Sequence, residues 1–541
     1  MPWCLIKSEA DKFLKKIKDG EIDPEKLAKM TSSQRRDFFT TFLDENNAKQ
    51  VNALFESKIL LKNQKQGYLT WAKTIGGMKT PAGRDFISRV NRMEKYLNPA
   101  EEEVFLADAV AKKLGGEVTR EQSKKIFDLS EDVIQKREMF AKDITNKDVQ
   151  LEYGRAIMDF KDYIDEISPT KTSIYTHILS VLNLGRSSVT GFDLSAAGRQ
   201  GRAFMGEKEF VSAFVNMHKY AVSKSSFRDL QAMLVADPYY DKLESSGLRI
   251  SALAKKLSDK EEGFMTNLAS KIPILAASER AYVGFLTELR FNVAKKLLQI
   301  AEAGGVELPR GSKELKEIVN YVNNYTLSGN IGKDDQYANI VPLLNAVFFS
   351  PRGMSGRANM LDFTKLAKKD VPYVVKKGII KSWLVMGAFA GVIGGLGVLA
   401  GKKTGTDLRS SDFATLTSGK THYDLSSGIK SYINLIARIA TNETVSKGKV
   451  KELGSKTFPF DNRGTLVLKF FRNKLAPIAS SIVDLAFGEN FLGKKTSVKN
   501  EVKENVVPIV AETVYDLVTE DPNNLIIGFL WEFYGQGVNV Y

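Results

Sequence analysis

Cysteine is almost missing from these 541 residues, Cys4 being the only one, so no intramolecular disulfide can form and a cysteine-rich zinc site is excluded by count. Histidine is nearly as scarce. His177, His218 and His422 stand in unrelated contexts, none in an HExxH or other paired spacing, which leaves metal catalysis without a ligand set. The glycine-rich piece Gly391-Val392-Ile393-Gly394-Gly395 lacks the GK[ST] ending of a phosphate loop, and no GxSxG elbow accompanies His422, so nucleotide binding and a hydrolase triad lack their sequence frames. His422 reads as a polar turn residue. Carboxylates are plentiful but lie among lysines at helical spacing, the usual look of a solvated face. No fixed-period repeat, sustained heptad pattern or low-complexity tract is found. The apolar run in Met1-Pro2-Trp3-Cys4-Leu5-Ile6-Lys7 is too short for a secretory signal. These absences lead to the expectation of a protein that is not an enzyme and takes no cofactor and no metal.

What is present describes a folded chain. Hydrophobic residues make up 43% and charged residues 26%, too apolar for disorder, and the length suits two to four structural units. The formal net charge of +14 favours attraction to nucleic acid or anionic lipid, with a merely solvated basic surface as the equal alternative.

Most of the sequence carries the apolar period of amphipathic helices. Phe13 and Ile17, then Phe38, Phe39, Phe42 and Leu43, show it early, and Asp23-Pro24-Glu25 and Thr31-Ser32-Ser33 supply start signals. Thr119-Arg120-Glu121-Gln122 predicts a capping box, and Leu129-Ser130-Glu131-Asp132 a further helix start. Small and hydroxyl residues between Val181 and Gly206 mark a boundary near residue 180, and Gly304-Gly305 with Leu308-Pro309-Arg310-Gly311-Ser312 a loop. The expected divisions are a helical domain over 1–180, a helical middle domain over 181–345 and a C-terminal module over 346–541.

That module contains one long uncharged run, 382–401, about the length that spans a bilayer as a helix. Lys376, Lys377 and Lys381 flank one side, Lys402 and Lys403 the other, and Trp383 stands where an aromatic interface anchor would. Gly387, Gly391 and Gly395 share one face, and Gly397 with Gly401 repeats the spacing, as in helices that approach closely in lipid. A permanent span, conditional insertion and a buried glycine-rich helix all fit this segment. Further on, Lys469-Phe470-Phe471-Arg472-Asn473-Lys474 offers cations and aromatics to nucleic acid, although an amphipathic helix accounts for it better.

Several ordered strings resemble the large polyvalent protein-associated domains of phages and prophages. Phe192-Asp193-Leu194-Ser195-Ala196-Ala197-Gly198-Arg199-Gln200-Gly201 is similar to that family's DLSAxxRQG string. Ser278 to Arg290 is similar to its helix ending in LNxLR, with Thr287 in place of Asn. Phe348-Phe349-Ser350-Pro351-Arg352 matches FFSPR ahead of the apolar segment. The most specific match is Thr406-Asp407-Leu408-Arg409-Ser410-Ser411-Asp412-Phe413 with Ser418-Gly419-Lys420-Thr421-His422-Tyr423-Asp424, where Leu408 replaces Pro and Ala414 replaces Gly. Phe471-Arg472-Asn473-Lys474-Leu475-Ala476-Pro477, Gly488 to Gly493 and the terminus Gly535 to Tyr541 complete a resemblance running from about 192 to 541. In the 407–424 block a β-hairpin or tight meander is expected, with Arg409 paired to Asp412, a turn at Gly419 and Tyr423 packed inward with its hydroxyl satisfied.

The fold expected from all this is mainly α: an elongated multi-helix protein with a small β-hairpin-containing C-terminal module and one Gly-rich hydrophobic helix. The resemblance implies a tailed-phage virion protein, internal to head or tail, that is ejected with DNA and interacts with the host membrane; the alternative is an architectural connector or lining protein that stays in the particle. Partners would be other virion proteins, further copies of the chain, phage DNA along the basic surface and the host membrane, with localisation in the virion and, during infection, the host envelope.

Overall fold

A computed structural model describes residues 34, 119–167, 196–250, 273–446, 448–454, 462–475, 480 and 509–540. The early helices expected before residue 119, the string residues Asp193, Ser195 and Pro477, His177, the 488–493 string and Tyr541 lie outside the described residues. Within them the chain is mainly α, with two small antiparallel sheets.

The chain divides into two compact units, one of residues 1–171 with 231–237 and the other of 172–230 with 238–541. In the first, α1 (Arg120–Lys142) and α2 (Lys147–Ile167) form a hairpin around Ile126, Val133, Ala156, Phe160 and Ile164. The capping box at its start is present: Thr119 Oγ1 accepts from Gln122 N at 3.2 Å, and Gln122 Oε1 accepts from Thr119 N at 2.8 Å. The second helix start expected at Ser130 is not used. Ser130 is buried in the middle of α1, because the apolar stripe through Ile126 and Val133 carries the helix past it. Gly154, in the middle of α2, touches the backbone of Ala232. A Cβ added there would lie 1.9 Å from the Ala232 carbonyl oxygen, and backbone cannot step aside as a side chain can. Gly154→Ala is expected to lower stability by about 2 kcal/mol in chemical denaturation, strain outweighing alanine's better helix propensity.

In the second unit α3 (Lys208–Val222) lies along α5 (Pro273–Ala303), while α4 (Lys224–Val235) follows α3 and runs into the 231–237 segment. Glu288 of α5 accepts from Ser212, Asn216 and Tyr220 of α3, at 3.1, 2.9 and 2.6 Å. Thr287 beside it is fully buried with a hydroxyl that has no hydrogen-bond partner among the described residues. The loop after α5 bends through Gly305 and Gly311, both at positive φ, and Ser312 caps α6 (Lys313–Tyr325) by accepting from Leu315 N. Next come α7 (Pro351–Met360) and α8 (Tyr373–Leu399). The larger sheet runs in the order β1 (Lys403–Thr404), β2 (Thr415–Ser418), β3 (Thr421–Asp424), β6 (Val538–Val540), and β2 and β3 form the expected hairpin, with Ser418 opposite Thr421. Between β3 and β6 the chain adds α9 (Lys430–Thr441), the ribbon β4 (Glu443–Ser446) with β5 (Lys449–Glu452), and helices α10 (Arg463–Arg472), α11 (Ile509–Glu520) and α12 (Leu525–Phe533).

Candidate functional site

The uncharged run is helical, but the helix begins earlier and ends sooner than the run itself. It starts at Tyr373 behind Pro372, so Lys376, Lys377 and Lys381 belong to it, and Lys381 pairs with Glu207 at 2.6 Å. It ends at Leu399. Gly401 lies past the end at φ +73, where Lys402 N reaches back to Gly397 O, so it closes the helix and shares no helical face with Gly397. Trp383 is engaged by protein: its indole nitrogen donates to Met360 O at 3.2 Å and its ring packs on Phe363.

One face of α8 is docked. Val375, Ile379, Ser382, Gly394 and Gly397 are buried on it, and the Ser382 hydroxyl meets that of Tyr321 at 2.8 Å. The guanidinium of Arg202 lies 4.5 Å over the Phe389 ring, a cation–π contact. Gly397 is small of necessity, since a Cβ there would come within 2.2 Å of Leu416.

Among the described residues nothing covers the opposite face. Leu384, Val392, Leu396 and Leu399 are 58% to 86% exposed, and Gly387, Gly391 and Gly395 on that side have nothing within 4 Å of where a Cβ would sit. The two sets of glycines therefore differ physically: the inner pair makes room for this chain, and the outer row leaves room for something else. The best 18-residue window of α8 has a mean hydropathy of 1.8 and is only 17% buried, the reverse of an ordinary core helix. A second apolar stretch, Ile526, Ile527 and Leu530 of α12, is 48% to 74% exposed, and Trp531 of the same helix contacts Phe389. Sequence reading passed over α12, although its short run Leu525-Ile526-Ile527-Gly528-Phe529-Leu530 carried the signal.

The strings that resemble the phage family sit at joints between distant parts of the second unit. Arg199 pairs with Glu532 at 2.7 Å, and the Gly198 N–H donates to the Tyr534 carbonyl oxygen at 3.0 Å. Gln200 donates its backbone N–H to Ala196 in the same turn. Ser350 caps α7 with Pro351 in its first turn, and Arg352 is buried against Asp335 at 2.8 and 3.0 Å. Phe348 bridges Leu475, Phe349 N donates to Lys474 O, and the Phe348 and Phe471 rings pack edge to face. The aromatics of the Lys469–Lys474 string are thus spent on packing, Phe470 lying against Tyr432, which supports the amphipathic-helix reading over base stacking. Arg472 is partly buried at the end of α10.

The 407–424 block folds around its own turns. Gly419 takes φ +63, and a Cβ there would meet the Asp521 carboxylate at 2.7 Å. Tyr423 is buried and its hydroxyl donates to Asn524, while Asp424 accepts from Ser426 and Gly428 ahead of α9. Arg409 does not pair with Asp412 as expected. It binds Asp407 at 2.8 Å and Glu443 of β4 instead, because Asp412 turns outward in the bend that brings Phe413 alongside Gly405. His422 lies in β3, not in a turn, with Nδ1 3.3 Å from Thr417 Oγ1, and burial pushes its pKa down against the field of Asp412.

Ala414, which replaces glycine in the matched string, adopts φ +49. A left-handed conformation costs an L-residue roughly 1–2 kcal/mol, part of which glycine recovers. Ala414→Gly is therefore expected to stabilise the protein by about 1 kcal/mol in thermal or denaturant unfolding.

Among the described residues no group of three or more His, Cys, Asp or Glu side chains could hold a metal ion. Compared with protein-family models, curated proteins and solved structures, the chain matches none.

Proposed function

We propose that this is an internal virion protein of a tailed phage, not an enzyme, whose α8 helix is its contact surface for other copies in the particle and for the host membrane after ejection with DNA. The reading is carried by one observation: a 27-residue apolar helix with its window only 17% buried. Its uncovered face needs either protein or lipid, since water is a poor neighbour for so many aliphatic groups. The resemblance of the joint-forming strings to phage polypeptides supplies the virion context, and the net charge of +14 suits a location beside packaged DNA and an anionic leaflet.

A second reading is favoured by the docked face. Ser382 bound to Tyr321, Phe389 beneath Arg202 and Gly397 against Leu416 fasten α8 to the rest of its unit, which suits an architectural connector or lining protein that never leaves the particle. Quantitative mass spectrometry of purified particles before and after DNA release separates the two. Loss of the protein with the DNA is the expected result, retention establishes the architectural role, and absence from both preparations overturns the virion assignment.

A further inference from the structure

We propose that Arg357 and Lys474 form a binding site for a phosphate-type oxyanion, at the joint where α7, the Asp424–Ser431 loop and the end of α10 meet. Arg357 leaves α7 and lies against Gly428, where an added Cβ would be 3.6 to 3.8 Å from its guanidinium atoms. Its Nη2 makes a long hydrogen bond to Ser427 O at 3.5 Å, its guanidinium lies beside the Tyr432 hydroxyl, and among the described residues its buried Nε–H has no partner. Lys474 Nζ reaches Ser431 Oγ at 3.4 Å and lies 5.6 and 5.4 Å from the ring centroids of Tyr432 and Phe470. Among the described residues neither cation has an ion-pair partner.

The local charge does not balance. Arg202, 2% exposed, is a third cation in the field of Asp424; it donates to Leu425 O but leaves Nε and Nη2 unpartnered. Arg199 is neutralised by Glu532. Among the described residues three positive charges, Arg202, Arg357 and Lys474, thus face one carboxylate, that of Asp424, which is itself turned to the Ser426 and Gly428 amides. Burial and the neighbouring Arg357 push the Lys474 ammonium down to about 8, so it remains charged at neutral pH while paying for that charge. Buried cations in excess of their counter-charges are costly.

The chemistry of the joint selects the ligand. A guanidinium and an ammonium offer donors only, so what completes them must be an acceptor. Two surplus positive charges match a dianion, and a guanidinium fork fits adjacent oxygens of a tetrahedral oxyanion. Arg357 and Lys474 each keep part of their side chain accessible. Free inorganic phosphate and the phosphate of a lipid headgroup share this chemistry. The site does not depend on the virion assignment or on α8 meeting lipid.

The test is thermal unfolding of the full chain as inorganic phosphate replaces chloride at constant ionic strength, with equilibrium dialysis of labelled phosphate beside it. A saturable rise in Tm of at least about 2 °C is expected from binding to the folded state alone. Lys474→Met and Arg357→Met should lose that rise, yet unfold no earlier than the parent in chloride because each removes a surplus charge; Lys449→Met should keep it. Flotation with phosphatidate against phosphatidylcholine vesicles separates the sources. Binding that requires phosphatidate and fails in Lys474→Met assigns a headgroup, and a phosphate response without it assigns the free anion. Parent protein that neither retains phosphate in dialysis nor prefers phosphatidate overturns the site, as does a response unchanged in both variants. Should the variants not fold, the dialysis and vesicle results on the parent chain decide.

Discussion

Val392→Asp with Leu396→Asp is expected to reduce flotation of the protein with anionic vesicles at least a hundredfold while leaving its circular dichroism and melting unchanged. The two side chains are 60% and 58% exposed and one helical turn apart on the outer face of α8, so the docked fold gives nothing up when they change. In lipid the change is severe. A carboxylate near the centre of an inserted helix costs about 2.5–3.5 kcal/mol, and each 1.4 kcal/mol is tenfold in binding. A double variant that floats as well as its parent would show that α8 is not the lipid contact. Loss of flotation together with loss of thermal stability would instead point to a packing role for these positions.

Asp335→Asn should destabilise the second unit by about 3–5 kcal/mol, the usual cost of leaving buried cations without their counter-charge. Asp335 binds Arg352 through both oxygens, at 2.8 and 3.0 Å, and Arg249 at 2.9 Å, and Arg352 is only 2% exposed. Burial alone would raise the Asp335 pKa; the hydrogen bonds of Arg352 and the charge of Arg249 outweigh it and hold the group at about 2. Because the folded value lies below the unfolded one, the carboxylate's contribution is complete above about pH 4 and is lost as pH falls toward 2. The parent should therefore lose roughly 2 kcal/mol more than Asp335→Asn between those limits in acid-titrated denaturant melts. Parallel acid profiles for the two proteins would mean that the triad carries no pH-linked stability.

The local features were legible in the sequence and the distant ones were not. Thr119 with Gln122 and Gly419 at the hairpin turn act within a few residues of themselves, and residue type at fixed spacing announces them. The apolar run announced a helix, yet its start is set by Pro372, ahead of the run, and its end by Gly401, the run's last residue, which takes a positive φ. Arg409 was assigned the wrong partner because Glu443 arrives from a strand 34 residues later, and Arg199 meets Glu532 across 333 residues. Spacing carries no information about contacts of that kind. Nothing in the sequence marked Arg202, Arg290 and Arg352 as buried, for the same reason: the burial of a charged side chain depends on the carbonyls and carboxylates that receive it.

Among the described residues the larger sheet is bounded by two very short strands, β1 with two residues and β6 with three, and a lysine stands on the β1 edge. Such margins offer a neighbouring molecule little backbone to pair with. On the proposed reading, copies that meet through the open side of α8 do so by side chains alone, and their sheets stay separate. Concentrating this protein should produce reversible helical assemblies, not the cross-strand fibres that a long bare edge would seed.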